Sequence, residues 1–172
     1  MKRTNLERAH CPVARSLDAV GDWWSLLIIR DALDGLRRFG EFQKSLGVSK
    51  GILTARLRSL VSLGILRLAP VADDRAYQEY VLTQKGRDLF LVIVSLRQWG
   101  EKHCFNKAEV HSILIDNETS QPVDRLKLLS RDGRVLTHSA TSIQKRLDRI
   151  KKRENANPAR RERHFPSSRQ LT

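Results

Sequence analysis

Residues 38–64 read RFGEFQKSLGVSKGILTARLRSLVSLG, and their spacing decides the fold. Phe39, Phe42 and Leu46 recur at the intervals of one helical face, so a short helix is expected over about residues 38–46. Gly47 closes it and Val48 lies in a tight turn. Ser49 is a good cap for a longer helix that runs to about Leu63, with Gly64 as its stop. A short helix, a glycine-containing turn and a longer helix make the helix-turn-helix pattern. On the second helix Leu57 and Leu60 fall within about 40° of Leu53, at roughly 100° per residue. Gly51, Thr54, Ala55 and Arg58 fall on the opposite side.

Moving outward, Ile65–Leu68 and Tyr77–Leu82 flank the polar turn Ala72-Asp73-Asp74-Arg75. They read as a two-stranded hairpin, which directly after a helix-turn-helix is a wing. Upstream, Pro12 suits the first position of a helix over 12–20, with Val13, Leu17 and Val20 on one face and Gly21 as its stop. Asp22 can cap the next helix. Trp24, Leu27 and Ile28 form its core stripe, Leu26 and Ile29 add apolar surface elsewhere, and Asp34-Gly35 ends it. Downstream, Thr83 caps a helix expected over 84–104, about 31 Å long. That helix is apolar on nearly every side from Leu89 to Leu96. One small core cannot cover this surface, so it points to dimerisation, with packing under the C-terminal segment as the alternative. The residues expected at the dimer contact are Val13, Leu17, Leu89, Ile93, Leu96 and Trp99.

Ser112–Ile115, Leu126–Leu129 and Arg134–Leu136 look like strands of a small β appendage, with Asp132-Gly133 as a turn. Residues 142–154 could form a basic amphipathic helix, and the chain beyond Asn155 has the composition of disorder. The expected division is a winged helix-turn-helix and dimerisation domain over 1–106, the appendage over 107–140, and a basic, largely disordered tail over 141–172.

The formal net charge is +13 over 172 residues, which favours a polyanionic partner: nucleic acid first, an anionic membrane second. Residues 145–172 hold ten Lys/Arg against three Asp/Glu and carry +7 of that charge, so the tail exaggerates the basicity of the rest. The N-terminus lacks the apolar run of a signal peptide, and Leu89–Val94, the longest apolar run, is too short to span a bilayer. The cytoplasm is the expected location.

The two cysteines, Cys11 and Cys104, form neither a secreted disulfide framework nor a zinc site. Cys11 at a helix start, with His10 and Arg15 nearby, is a candidate sensor of oxidants or electrophiles, or else a packing residue. None of the five histidines has metal-motif spacing, and no Gly-rich phosphate loop or nucleophile elbow is present. No metal, cofactor or catalytic role is expected.

The candidate DNA-binding residues follow from the element order. Ser49, Lys50, Gly51, Thr54 and Arg58 give the second helix of the motif a small, polar and basic outer face, as major-groove entry requires. Arg56, on the flank, suits a phosphate contact or an internal ion pair. Arg37 and Arg38 precede the short helix, where a phosphate can sit. Arg75 occupies the wing tip, within reach of the minor groove or backbone. Lys85 and Arg87 lie where the helix dipole disfavours cations, so phosphate contact or simple solvation must account for them. An ordinary solvated helix face would carry similar residues.

The stretches GDWWSLLIIRDAL, RRFGEFQ, LTARLRSLVSLGIL, LTQKGRDL and LRQWG together resemble the HxlR branch of the MarR-like winged-helix regulators. The resemblance covers residues 11–104. It implies a mainly α fold with small β content: a winged helix-turn-helix with a β-hairpin wing, a long C-terminal dimerisation helix and, here, a small β appendage. It further implies a bacterial homodimer, formed through the first and last helices, that binds an operator near its target promoter. The expected partners are a palindromic operator in double-stranded DNA and a second copy of the chain, with a small-molecule or oxidant effector as a candidate third. Some regulators of this type sense oxidants through a cysteine at the position of Cys11. Trp23 departs from the usual basic residue, and the ADDRA wing lacks the proline of many relatives. Residues 111–144 lack the cysteine pairs seen in some C-terminal extensions, which speaks against zinc. A winged helix used only for protein–protein contact is the alternative.

Overall fold

Pro12 opens the first helix of the computed structural model, which describes residues 5–70 and 77–144. Helix α1 spans Pro12–Val20. A Cβ on Gly21 would lie 2.3 Å from the Leu17 carbonyl oxygen, so only glycine lets the chain turn that closely. Helix α2 spans Trp23–Leu33, capped by Asp22, whose carboxylate accepts the Ser25 N–H. Its inward edge is Ser25, Ile28 and Ile29. Trp24, Leu26 and Leu27 are half-buried, so the buried face is rotated from the stripe that periodicity suggested.

Helix α3 spans Phe39–Leu46 and helix α4 spans Lys50–Ser62. Gly47 between them has φ +62°, a left-handed conformation open to glycine at little cost. Ser49 caps α4 by accepting the Ile52 N–H. Leu53, Leu57 and Leu60 are fully buried, as their spacing required, beside Ile28, Ile29, Phe42, Ile65 and Leu66. Strands β1 (Leu66–Pro70) and β2 (Gln78–Leu82) pair antiparallel, Leu66 opposite Leu82 and Pro70 opposite Gln78. The Tyr80 N–H donates to the Arg37 carbonyl at 2.8 Å, which ties β2 to the entry of α3. The expected turn at 72–75 lies outside the described residues, as does the segment 145–172 with the rest of its expected basic helix. Residues 142–144 are irregular.

The helix expected to run unbroken over 84–104 is divided. Helix α5 is Gln84–Arg87 and helix α6 is Phe90–His103. At the break the Leu89 N–H donates to Gly86, three residues back. The cause is tertiary. Gly86 is pressed so tightly onto the end of β1 that a Cβ would stand 2.4 Å from the Ile65 oxygen and 2.7 Å from Leu82 Cδ2. The first turn is thereby fixed to the hairpin base, and α6 begins after it as a separate helix.

The chain falls into two units, Met1–Arg125 and Leu126–Thr172. Within the first, the segment after α6 runs back along that helix: Arg97 donates to the Ser112 carbonyl and hydroxyl, and Gln98 to the Asp124 carbonyl. The strands expected in the appendage do not form. Ile115–Pro122 and Leu129–Val135 are isolated bridges that close short turns. Ile113, Ile115, Leu128, Leu129 and Val135 remain exposed, and without a covering layer alternating residues cannot sustain a sheet. Among the described residues no helix is long and apolar enough to cross a membrane.

Candidate nucleic-acid interface

Helix α4 presents its outer side to solvent. Lys50, Gly51, Ile52, Ala55 and Arg58 are exposed, while Thr54 and Arg56 are half-buried. Ser49 is exposed and its hydroxyl is already used as the helix cap. The helix is anchored at both ends and on one flank. Arg56 Nε lies 3.2 Å from Asp22 Oδ1, the same oxygen that accepts the Ser25 N–H, so one carboxylate caps α2 and holds α4. Of the two roles open to Arg56, the structure shows the internal pair. At the other end Lys85 Nζ donates to the Leu63 carbonyl at 2.7 Å, completing the C-terminus of α4. Its position against the helix dipole thus has an intramolecular explanation, and so does that of Arg87, which donates to the Leu82 carbonyl and to Gln84.

Arg37 and Arg38 are gathered by one residue that sequence reasoning missed. The Glu79 carboxylate on β2 lies 3.8 Å from Arg37 and 3.3 Å from Arg38. Both arginine side chains stay about 60% exposed, so they are oriented without being withdrawn from solvent. Glu41 reaches back to accept the Arg37 and Arg38 N–H groups, and these bonds hold its carboxyl below the ordinary carboxylate value. The entry to α3 is thus fixed from both sides. Only the hairpin register brings Glu79 there. The Glu41 contact was foreshadowed by its place three residues after Arg38.

Among the described residues Lys50 and Arg58 make no ion pair or hydrogen bond. Arg75 lies outside the described residues.

The proposed dimer contacts separate into two groups. Val13, Leu17, Leu96 and Trp99 are 50–66% exposed. Leu89 and Ile93 instead pack against the monomer core. The exposed face of α6 gains Leu91 and Val92, which periodicity did not single out. The C-terminal segment covers a different side, where Val94 and Arg97 meet Leu114 around a small cleft. The helix is thus covered by the following segment on one face, while another apolar face stays exposed among the described residues.

Cys11 and Cys104 are both exposed thiols, Cys11 preceding α1 and Cys104 ending α6. A cavity of about 310 Å³ lies between α2, α6 and the following segment, lined in part by Leu26, Arg30, Leu96, Arg97 and Phe105. Neither Trp24 nor Trp99 lines it.

The profile of the HxlR-like helix-turn-helix family matches residues 19–108, just over half of the chain. The HTH-type transcriptional regulator MT3179 of Mycobacterium tuberculosis is 47% identical over 91 residues, 53% of this chain and 58% of that protein. The matched part is thus less than two thirds of MT3179. YdeP of Bacillus subtilis, also named an HTH-type transcriptional regulator, is 35% identical over 94 residues, 54% of this chain and 73% of its own. Among solved structures, PA1607, a candidate transcription factor, aligns with a TM-score of 0.79 at 49% identity, over 83% of this chain and 99% of its own. PA1374 of Pseudomonas aeruginosa aligns at 0.55 and 38% identity, over 78% and 92% of the two chains. These relatives are described as regulators or transcription factors, not as enzymes.

Proposed function

Because the chain belongs to the HxlR-like helix-turn-helix family, we propose that it is a transcriptional regulator that binds a palindromic operator in double-stranded DNA as a homodimer. The observation that carries this reading is the division of cations around α4. Arg56 is half-buried in its pair with Asp22, and Lys85 and Arg87, though exposed, each donate to a backbone carbonyl. Lys50 and Arg58 stand exposed on the small-residue face, and Arg37 and Arg38 are aimed from the entry of α3 by Glu79. A rigidly anchored helix with unspent donors on a low-relief face suits the major groove.

In this reading Lys50, Thr54 and Arg58 face base edges and phosphates, with Gly51 permitting close approach. Arg37 and Arg38 meet phosphate at the start of α3. Arg75 reaches from the wing, and residues 145–172 add sequence-independent affinity through their net +7 charge. Val13 and Leu17 of α1, with Leu91, Leu96 and Trp99 of α6, form the contact between copies. Cys11, exposed just before the helix that carries Val13 and Leu17, is the proposed point at which an oxidant or electrophile acts. The cytoplasm is where such a regulator meets promoter DNA.

The test is binding-site selection from a random duplex pool, followed by salt titration on the enriched sequence. An inverted repeat should emerge, with logarithmic affinity falling linearly as logarithmic salt rises. Sedimentation should give a dimer at micromolar protein that Trp99→Glu dissociates. A pool that yields no enriched sequence would refute operator recognition. A monodisperse wild-type monomer would refute the dimer.

A further inference from the structure

Two features of α4 have no explanation among the described residues. Ile52 is 42% exposed, although it sits beside Leu53, the start of the fully buried row. Gly51 precedes it in a helix, where glycine is about 0.5–1 kcal/mol worse than alanine. The fold does not require that glycine: a Cβ there would meet nothing within 4 Å, and Gly51 is not among the glycines with positive φ. Something outside the free chain must favour a helix surface with no side chain at 51 and a branched apolar one at 52.

The position of Ala55 shows what fits. It is exposed, four residues after Gly51 and three after Ile52, so the three share one side of the helix. They make a shallow apolar strip in the N-terminal half of α4, bordered by the exposed cations Lys50 and Arg58. The strip is too small for a protein interface and is edged with positive charge. An apolar group set among phosphates is a better match, and in B-DNA the major groove carries one such group, the C5-methyl of thymine.

We propose that Ile52, with Ala55, packs against a thymine methyl in each operator half-site, while Gly51 lets the helix come close enough for that contact. This makes Ile52 a specificity-determining residue that reads an A·T pair by contact, without a hydrogen bond. The inference rests on the proposed entry of α4 into the major groove.

The experiment takes the full-length protein and the duplex enriched by site selection. Each thymine is replaced in turn by deoxyuridine, which keeps base pairing and removes only the methyl. Wild-type binding should weaken about fourfold at one position per half-site, the worth of burying one methyl-sized group. Ile52→Ala should bind thymine and deoxyuridine alike at that position, and Ile52→Val should retain part of the preference. Gly51→Ala should melt no lower than wild type and yet bind the duplex more weakly. Indifference of the wild type to every deoxyuridine, or an unchanged preference in Ile52→Ala, would overturn the proposal while leaving operator binding intact. Failure to enrich any duplex would remove the reading of α4 itself and this inference with it.

Discussion

Arg56 and Arg58 sit two residues apart on the same helix, and the structure gives them opposite duties. Arg56 lies 3.2 Å from Asp22 Oδ1, with the two side chains 36% and 21% exposed. A pair that open to solvent contributes about 0.2–1 kcal/mol. Asp22 does more, because the same oxygen caps α2, and loss of a cap costs about 0.5–2 kcal/mol. In urea denaturation Arg56→Ala should therefore cost less than about 1 kcal/mol. Asp22→Ala should cost more than Arg56→Ala, and Asp22→Asn, which keeps a cap acceptor, should fall nearer to it. On DNA the order reverses. Arg58 has no partner among the described residues, and losing a base contact costs about 1–3 kcal/mol, roughly 5- to 150-fold in affinity. By fluorescence anisotropy on the enriched site and on random duplex, Arg58→Ala should erase most of the ratio between the two. Arg56→Ala should leave that ratio nearly unchanged. An Arg56→Ala protein of normal stability that loses site preference as fully as Arg58→Ala would refute the assignment.

Gly86→Ala should lower stability by about 1–3 kcal/mol, because the added carbon meets the Ile65 carbonyl, a backbone atom that cannot rotate away; a thermal melt equal to wild type would contradict the close packing. Gly40→Ala, with open space around it, should instead stabilise by about 0.4–1 kcal/mol, read in the same melts. Glu41 is held below its ordinary value chiefly by the Arg37 and then the Arg38 N–H. A depressed folded value means its contribution is complete above the unfolded carboxylate value and is lost as pH falls through the lower folded one. Protection of the first α3 amides should fade over that range, and Glu41→Gln should remove this pH dependence; an identical profile in both proteins would count against it. Diamide or quinone treatment should weaken DNA binding by the wild type, and Cys11→Ser should be indifferent to it; equal sensitivity of the two would exclude Cys11 as the reacting thiol.

The helix-turn-helix was legible because every boundary in it has a local chemical cause. Gly47 supplies the left-handed turn, Ser49 caps α4, and Leu53, Leu57 and Leu60 fix which side faces inward. What escaped depends on residues brought together by folding. Nothing within 84–104 announces a break, since its cause is the Ile65 carbonyl against Gly86. Strand-like alternation after residue 111 could not reveal that no layer among the described residues covers it. The cation assignments divide along the same line. Lys85 left a choice between phosphate contact and simple solvation because its own helix gave no reason for a positive charge there; folding brings its ammonium to the C-terminus of α4, reached through the hairpin. Arg37 and Arg38 read as two independent charges until Glu79 joined them. Sequence thus located the exposed face of α4 proposed to meet DNA, whereas tertiary partners decide how its cations are held. Net charge therefore overstates the contact set. The slope of affinity against salt, which counts phosphates neutralised, should follow Lys50, Arg58, Arg37 and Arg38, with whatever Arg75 and the tail add, and should change less for Lys85→Ala, whose ammonium is held at the Leu63 carbonyl.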